Sequence, residues 1–261
     1  MMASTAKKKR PATRIGTPTS DTHRLLMRGR DTLSEIVGKM SFAAAFYFIV
    51  TGKIPDDAKR KVMDAALVVL MDHGITPTAM VARLIADSLP DQPQIGVGAG
   101  IMMVGDKFAG TMAGAGAFLT EGIGQPDQRR WAAGFVEKAH AAKRRLPGFG
   151  HPYYTPTDPR SDRLFEIALG AGVEGRHIAL IKIVGEELDR VSGKHMTLNA
   201  TGALGAILCE IGFPVAAMRG LAAVSRAAGL VAHVAEERIE PITPSLMDFA
   251  GTIDYADPGQ E

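Results

Sequence analysis

Pro147-Gly148-Phe149-Gly150-His151-Pro152, with Asp158-Pro159-Arg160 close behind, is the stretch on which the reading of this chain turns. Glycines on both sides of an aromatic let the backbone turn tightly and present His151. An imidazole titrates near neutrality and can give or take a proton. A guanidinium one short loop away, Arg160, can fork onto a carboxylate. The pair points to a small carboxylate guest held by a loop.

Outward from this loop the chain reads as helix after helix. Ser41 caps a run ending at Val50, and Thr51-Gly52-Lys53-Ile54-Pro55 breaks it. Asp56 or Asp57 caps the next helix, which stops near Asp72-His73-Gly74. Thr76-Pro77-Thr78 opens another, whose Met80, Val81, Leu84 and Ile85 share one face. Later helices are expected at 162–169, 177–191, 203–211 and 221–237. Alternating strand-like runs are nearly absent, and aromatics are only 6% of the residues. The chain reads as all-α, with few or no strands.

Bulk properties exclude several classes. The chain's 261 residues, 46% of them hydrophobic, can bury a sizeable core. A net charge of +2 is too balanced to point to nucleic acid or an anionic membrane. No uninterrupted apolar run reaches spanning length. The single cysteine, Cys209, allows no internal disulfide and reads as an inert thiol in a reducing, cytoplasmic setting. No Cys/His spacing resembles a metal site. Residues 1–20 contain Lys7-Lys8-Lys9-Arg10 and read as a solvated, disordered basic tail, with a nuclear or organellar signal as the competing reading. The glycine-dense stretches Gly96–Gly100 and Gly110–Gly116 lack a full G-x-G-x-x-G and a preceding strand. They read as close helix packing, not as phosphate loops.

The order of landmarks resembles the citrate synthase superfamily, and its short citryl-CoA lyase-like branch above all. Leu25–Gly29 with Leu33-Ser34-Glu35 resembles the family's opening segment, and Thr51–Pro55 its first inter-helix turn. Asp72-His73-Gly74 followed by Arg83 is similar to its ligand-histidine junction. Pro147–His151 with Asp158-Pro159-Arg160 is the most specific match, and Ser225–Gly229 with His233 resembles its arginine helix. The resemblance implies an all-α homodimer. A large domain over 21–110 and 212–261 would flank a small coenzyme A domain over 111–211. It implies substrates rather than a tightly bound cofactor: an acyl-CoA with oxaloacetate or citrate, and no nucleic acid or membrane partner.

By resemblance, His73, His151, Arg160 and Arg226 match the positions that hold the dicarboxylate, with His151 polarising the ketone or taking the hydroxyl proton. Arg144 and Arg145 could meet coenzyme A phosphates, and Gly148 and Gly150 shape the adjoining turn. Singly, each has a plainer reading: His73 as a helix-dipole partner, Arg160 as a surface ion pair, Arg144 and Arg145 as a solvated helix end. The chain departs from the family at two catalytic positions. Phe108 stands where a histidine usually binds the enolate oxygen, and Thr201 stands in Asn199-Ala200-Thr201 where an aspartate is the base. A phenyl ring cannot donate to an oxyanion, and a threonine hydroxyl stays protonated at pH 7. Asp106 is the candidate substitute acid. Glu210 is expected to point elsewhere, and His140 or His195 reach the site only if the alignment is slipped. Two readings stay open: an enzyme making or cleaving the bond between acetyl-CoA and oxaloacetate, and an impaired homologue that binds the same ligands as a sensor or partner subunit.

Overall fold

The computed structural model describes residues 11–105 and 110–260. The chain divides into two compact units, Met1–Asp56 and Asp57–Glu261.

In the first unit a short hairpin, β1 (Leu26–Met27) and β2 (Arg30–Asp31), turns on Arg28 and Gly29, both in the left-handed region. Asp31 caps a π-helical turn over Thr32–Ile36, and Glu35 reaches back to the Asp31 amide and to Arg30. Helix α1 (Phe42–Thr51) starts on the Ser41 hydroxyl and ends on left-handed Gly52. The Arg28 guanidinium donates to the Ile49 and Val50 carbonyls, satisfying orphan acceptors at the end of α1. The tail expected through residue 20 is tied down earlier: the Ile15 carbonyl accepts from the Arg28 amide, and Gly16 bridges to Met27. Backbone pairing fixes this segment despite its polar composition. Residues 1–10 lie outside the described residues.

The second unit is a helical body. It comprises α2 (Asp57–Leu70), α3 (Pro77–Ser88), α4 (Pro93–Met102), α5 (Met112–Gly122), α6 (Gln128–Ala141), α7 (Pro159–Gly170), α8 (Arg176–Ser192), α9 (Ala200–Glu210), α10 (Val215–Glu237) and α11 (Thr243–Ala250). The only sheet among the described residues is the hairpin, and the chain is all-α. Helices α7, α9 and α10 begin three to six residues before their expected starts (159 against 162, 200 against 203, 215 against 221), because Asp158, Asn199 and Pro214 start them.

Helix α9 is the core element. Its Leu204, Ile207 and Leu208 are fully buried, each contributing about 1.5–3 kcal/mol. It packs against α5, α7 and α8. Helix α10 packs against α2, α3, α4 and α5. By length and composition α10 could cross a membrane; a third of that stretch is buried against its neighbours in the unit. Helices α5–α9 span the stretch expected as a small domain, and α2 and α10 pack onto them across that boundary.

Apart from Gly110, the glycines of the two dense stretches lie in helices, and several of them allow close approach. A β-carbon on Gly100 would stand 2.7 Å from the Thr78 carbonyl oxygen and 2.7 Å from Leu230 Cδ1, so α4 lies tightly on α3 and α10. Gly98, in the same helix, faces open space. Gly100→Ala should therefore lose about 1–3 kcal/mol to overpacking. Gly98→Ala should gain up to about 1 kcal/mol from helix propensity. Urea denaturation of the two variants checks this opposition of sign.

Candidate functional site

The site is assembled where the His151 turn meets the start of α9. Gly148 has φ of +90°, and a β-carbon there would stand 2.6 Å from Gly202 Cα. Only glycine allows that approach. The Gly148 carbonyl accepts from the Asn199 amide at 2.9 Å, and the Thr197 carbonyl from the Gly150 amide at 2.7 Å. Asn199 Nδ2 donates to the Gly150 carbonyl at 2.9 Å, while its Oδ1 caps α9 through the amides of Thr201 and Gly202. The turn and the helix start are thus one hydrogen-bonded piece.

Asp158 orients the guanidinium. Its buried carboxylate caps α7, receives Arg160 Nε at 2.9 Å and Nη2 at 2.8 Å, and accepts from the Ala200 amide at 3.0 Å. Burial alone would raise its pKa, but the Arg160 fork and the amides outweigh it and hold Asp158 below its ordinary value. Arg160 also lies over the Tyr154 ring, 4.9 Å from its centroid.

Arg160 Nη2 is 3.3 Å from His151 Nε2. His151 Nδ1 accepts from the amides of Tyr153 and Tyr154, at 3.1 and 3.0 Å. Burial, then the charge of Arg160, lowers the His151 pKa and favours the neutral ring. With Nδ1 occupied as an acceptor, the one ring proton is assigned to Nε2. Two donors then face each other, which is the geometry an acceptor oxygen would relieve.

His73 joins this group, its ring centroid 6.2 Å from that of His151. Burial first, then the charges of Arg160 and Arg226, lowers its pKa. Asp72 sets its loop: one carboxylate oxygen accepts from the Gly74 amide at 2.9 Å, the other meets His233 Nε2 at 2.9 Å. His233 in turn lies against Arg83, a buried guanidinium paired with Glu236 and Glu237. Arg226, on α10, is 5% exposed. Among the described residues its Nε has no partner, and its one hydrogen bond there is a long one, 3.4 Å to Thr76 Oγ1. Burial lowers its pKa, with Asp72 the charge that opposes the shift. The structure therefore brings His73, His151, Arg160 and Arg226 to one place.

Thr201 lies at the start of α9, beside this group. Its hydroxyl donates to Asn199 Oδ1 at 2.7 Å, which leaves Thr111 to donate to Thr201 Oγ1 at 2.7 Å. Phe108 and Asp106 lie outside the described residues. Glu210 points away, accepting from the amides of His177 and Ile178. His195 bonds Asp189 and Pro156, and His140 ends α6, so neither joins the group. Arg144 and Arg145 are exposed on the loop before Pro147, Arg144 lying 5.9 Å from the Phe135 ring centroid. Cys209 is a half-buried thiol whose pKa is pushed up to about 11 by its partial burial.

A family model described as citrate synthase, C-terminal domain, matches residues 12–243. The chain belongs to the citrate synthase family. It is 33% identical to the citryl-CoA lyase of Hydrogenobacter thermophilus, with a TM-score of 0.85 over 97% of both chains. That likeness places it with the short, citryl-CoA lyase-like members. It is 30% identical to the citrate synthase of Saccharolobus solfataricus over 75% of this chain and 52% of that one. The fold alone is shared with the ATP citrate lyase of Methanothrix soehngenii, at 18% identity and a TM-score of 0.76 over 97% of this chain and 43% of that one. The chain spans about half the length of the curated relatives it matches.

Sequence reasoning missed Asp158 as the orienter of Arg160, Asp72 and His233 behind His73, and Thr111 beside Thr201. The Asp158-Pro159 step was the one available signal, since an acid before proline marks a helix start. Asp158→Asn should cost about 3–5 kcal/mol at pH 7, because it leaves Arg160 without its paired charge. The carboxylate's contribution is complete above the unfolded value, near 3.8, and is lost as pH falls through the lower folded value. Urea titrations at pH 7 and in acid should show the gap between variant and parent closing in acid.

Proposed function

We propose that the chain is a citryl-CoA lyase or citrate synthase-type enzyme that cleaves or makes the carbon–carbon bond between acetyl-CoA and oxaloacetate. The observation that carries this reading is Arg226, a buried guanidinium with no bonded anion among the described residues, grouped with a second guanidinium and two neutral imidazoles. A dicarboxylate would give Arg226 the carboxylate it lacks and set its second carboxylate on the Arg160 N–H groups that Asp158 leaves free. The ketone oxygen of oxaloacetate, or the hydroxyl it becomes, sits against His151 Nε2. In condensation that N–H stabilises the charge developing on the oxygen. In cleavage the hydroxyl gives its proton to solvent as the bond breaks, with the His151 N–H holding the oxygen, and the acetyl-CoA enolate takes one proton from solvent in return.

The weak point is the proton at the acetyl carbon. A positioned base typically contributes about 10²–10⁴-fold and one oxyanion donor about 10²–10³-fold. Thr201 has no carboxylate, and its hydroxyl is engaged by Asn199 and Thr111. This favours, as a second reading, a homologue that binds citrate or acyl-CoA with little turnover, as a sensor or as one subunit of a mixed dimer. On either reading Arg144 and Arg145 face the phosphates of coenzyme A, and the working form is a homodimer or its mixed counterpart.

Arg226→Met should stabilise the free protein by about 1–3 kcal/mol, since it removes a buried unpaired charge. It should also abolish the thermal shift given by millimolar oxaloacetate or citrate. No shift in the parent protein at those concentrations counts against both readings. Assays of citryl-CoA cleavage and citrate formation, run side by side, separate the two. Feeble turnover that rises at least tenfold in Phe108→His/Thr201→Asp fits an enzyme lacking its base. Robust turnover by the parent means another group supplies it.

A further inference from the structure

We infer that His195 is a positioning residue: as a doubly protonated imidazolium it clamps the loop carrying His151 and Arg160 onto the end of α8. His195 Nδ1 is 2.6 Å from Asp189 Oδ2, and Nε2 is 2.8 Å from the Pro156 carbonyl oxygen. Both partners are acceptors only, so both ring nitrogens must donate. A neutral imidazole has one N–H and turns a lone pair toward one of these oxygens. Asp189, in the last turn of α8, is itself fixed by the Met196 amide at 2.7 Å.

Pro156 stands on the short loop between His151 and Arg160. The neighbouring Thr197 hydroxyl reaches the Tyr154 and Pro156 carbonyls of that loop, at 3.0 and 3.1 Å. Tyr154 supplies an amide to His151 and a ring to Arg160. The clamp therefore acts on the two side chains through their loop. The charged group that His195 touches is Asp189, with Lys194 beside it in sequence. On the facing loop its partner is the Pro156 carbonyl, and Asp158 is committed to Arg160 and the Ala200 amide.

The bond to Asp189, then that to Pro156, raises the His195 pKa. A raised value in the folded state means that the clamp is complete below the unfolded value, near 6.5, and is lost as pH rises through the folded value. His73 and His151 shift the other way, so their titration falls on the acid side. His195 is half exposed, which keeps the effect small.

The effect on ligand affinity rests on the dicarboxylate reading of the site, whereas the clamp itself does not. The test pairs an NMR titration of the His195 ring with calorimetry of oxaloacetate, a dianion throughout, at pH 7 and pH 9. Melting temperatures are recorded at both. In the parent protein His195 should titrate above its ordinary value, and affinity should fall by about threefold from pH 7 to pH 9. His195→Gln should bind weakly at both, and its deficit in melting temperature should close at pH 9. Asp189→Asn should move the ring titration downward. A His195 titration at or below the ordinary value, or a parent-like pH profile in His195→Gln, overturns the clamp. If oxaloacetate binds at neither pH, the dicarboxylate reading fails. The ring titration and the melting profile then decide the clamp by themselves.

Discussion

A positive charge buried without its anion is the constraint on which the site depends. The fold can satisfy a guanidinium when stability is the only requirement. Arg83, 1% exposed, is paired with Glu236 and Glu237 and also donates to the Glu240 carbonyl. Arg226 is nearly as buried and has no bonded carboxylate among the described residues. Removing an ion from water costs several kcal/mol unless geometry compensates. Strain of this kind persists where the surrounding structure enforces it, and it marks sites built for a guest. Beside it, Arg160 Nη2 and the His151 Nε2 proton face each other with no acceptor between them, although the Arg160 charge itself is paired with Asp158.

Enforcement comes from elements that carry no ligand themselves. Asp158 fixes Arg160 and the first turn of α9 at once. Asn199 joins α9 to the glycine turn under His151. Asp72, held by His233 and through it by the Arg83 cluster, sets the His73 loop. Preorganised donors of this kind need no reorganisation when a charge arrives. Recognition and turnover are separable here. His73, His151, Arg160 and Arg226 are all in place to receive the proposed dicarboxylate, while Thr201, where the proposal needs a base, holds a hydroxyl whose proton is already donated to Asn199.

Much of the fold was legible because its signals are local. Ser41 and Thr76 start helices at the residues where the side chain or the following proline suits a first turn, and Gly52 ends one in the left-handed region. The long-range pairs were not legible. Nothing in Gly96–Gly100 names Thr78 and Leu230 as the surfaces that require small residues. Thr111 and Thr201 stand 90 residues apart in sequence and meet only through the packing of α5 on α9. His195 could be weighed from sequence only as a misaligned site residue, because its partner is a backbone carbonyl in another loop. His73, His151, Arg160 and Arg226 could be grouped from sequence only through the order of motifs, since none of the four is diagnostic alone.

The most direct measurement is a crystal structure of the protein with oxaloacetate bound. The account predicts one carboxylate within about 3.2 Å of Arg226 Nε. It predicts the second on Arg160 and the ketone oxygen at His151 Nε2. A guest bound elsewhere, or an Arg226 whose Nε is satisfied by a protein group in the occupied state, would contradict it.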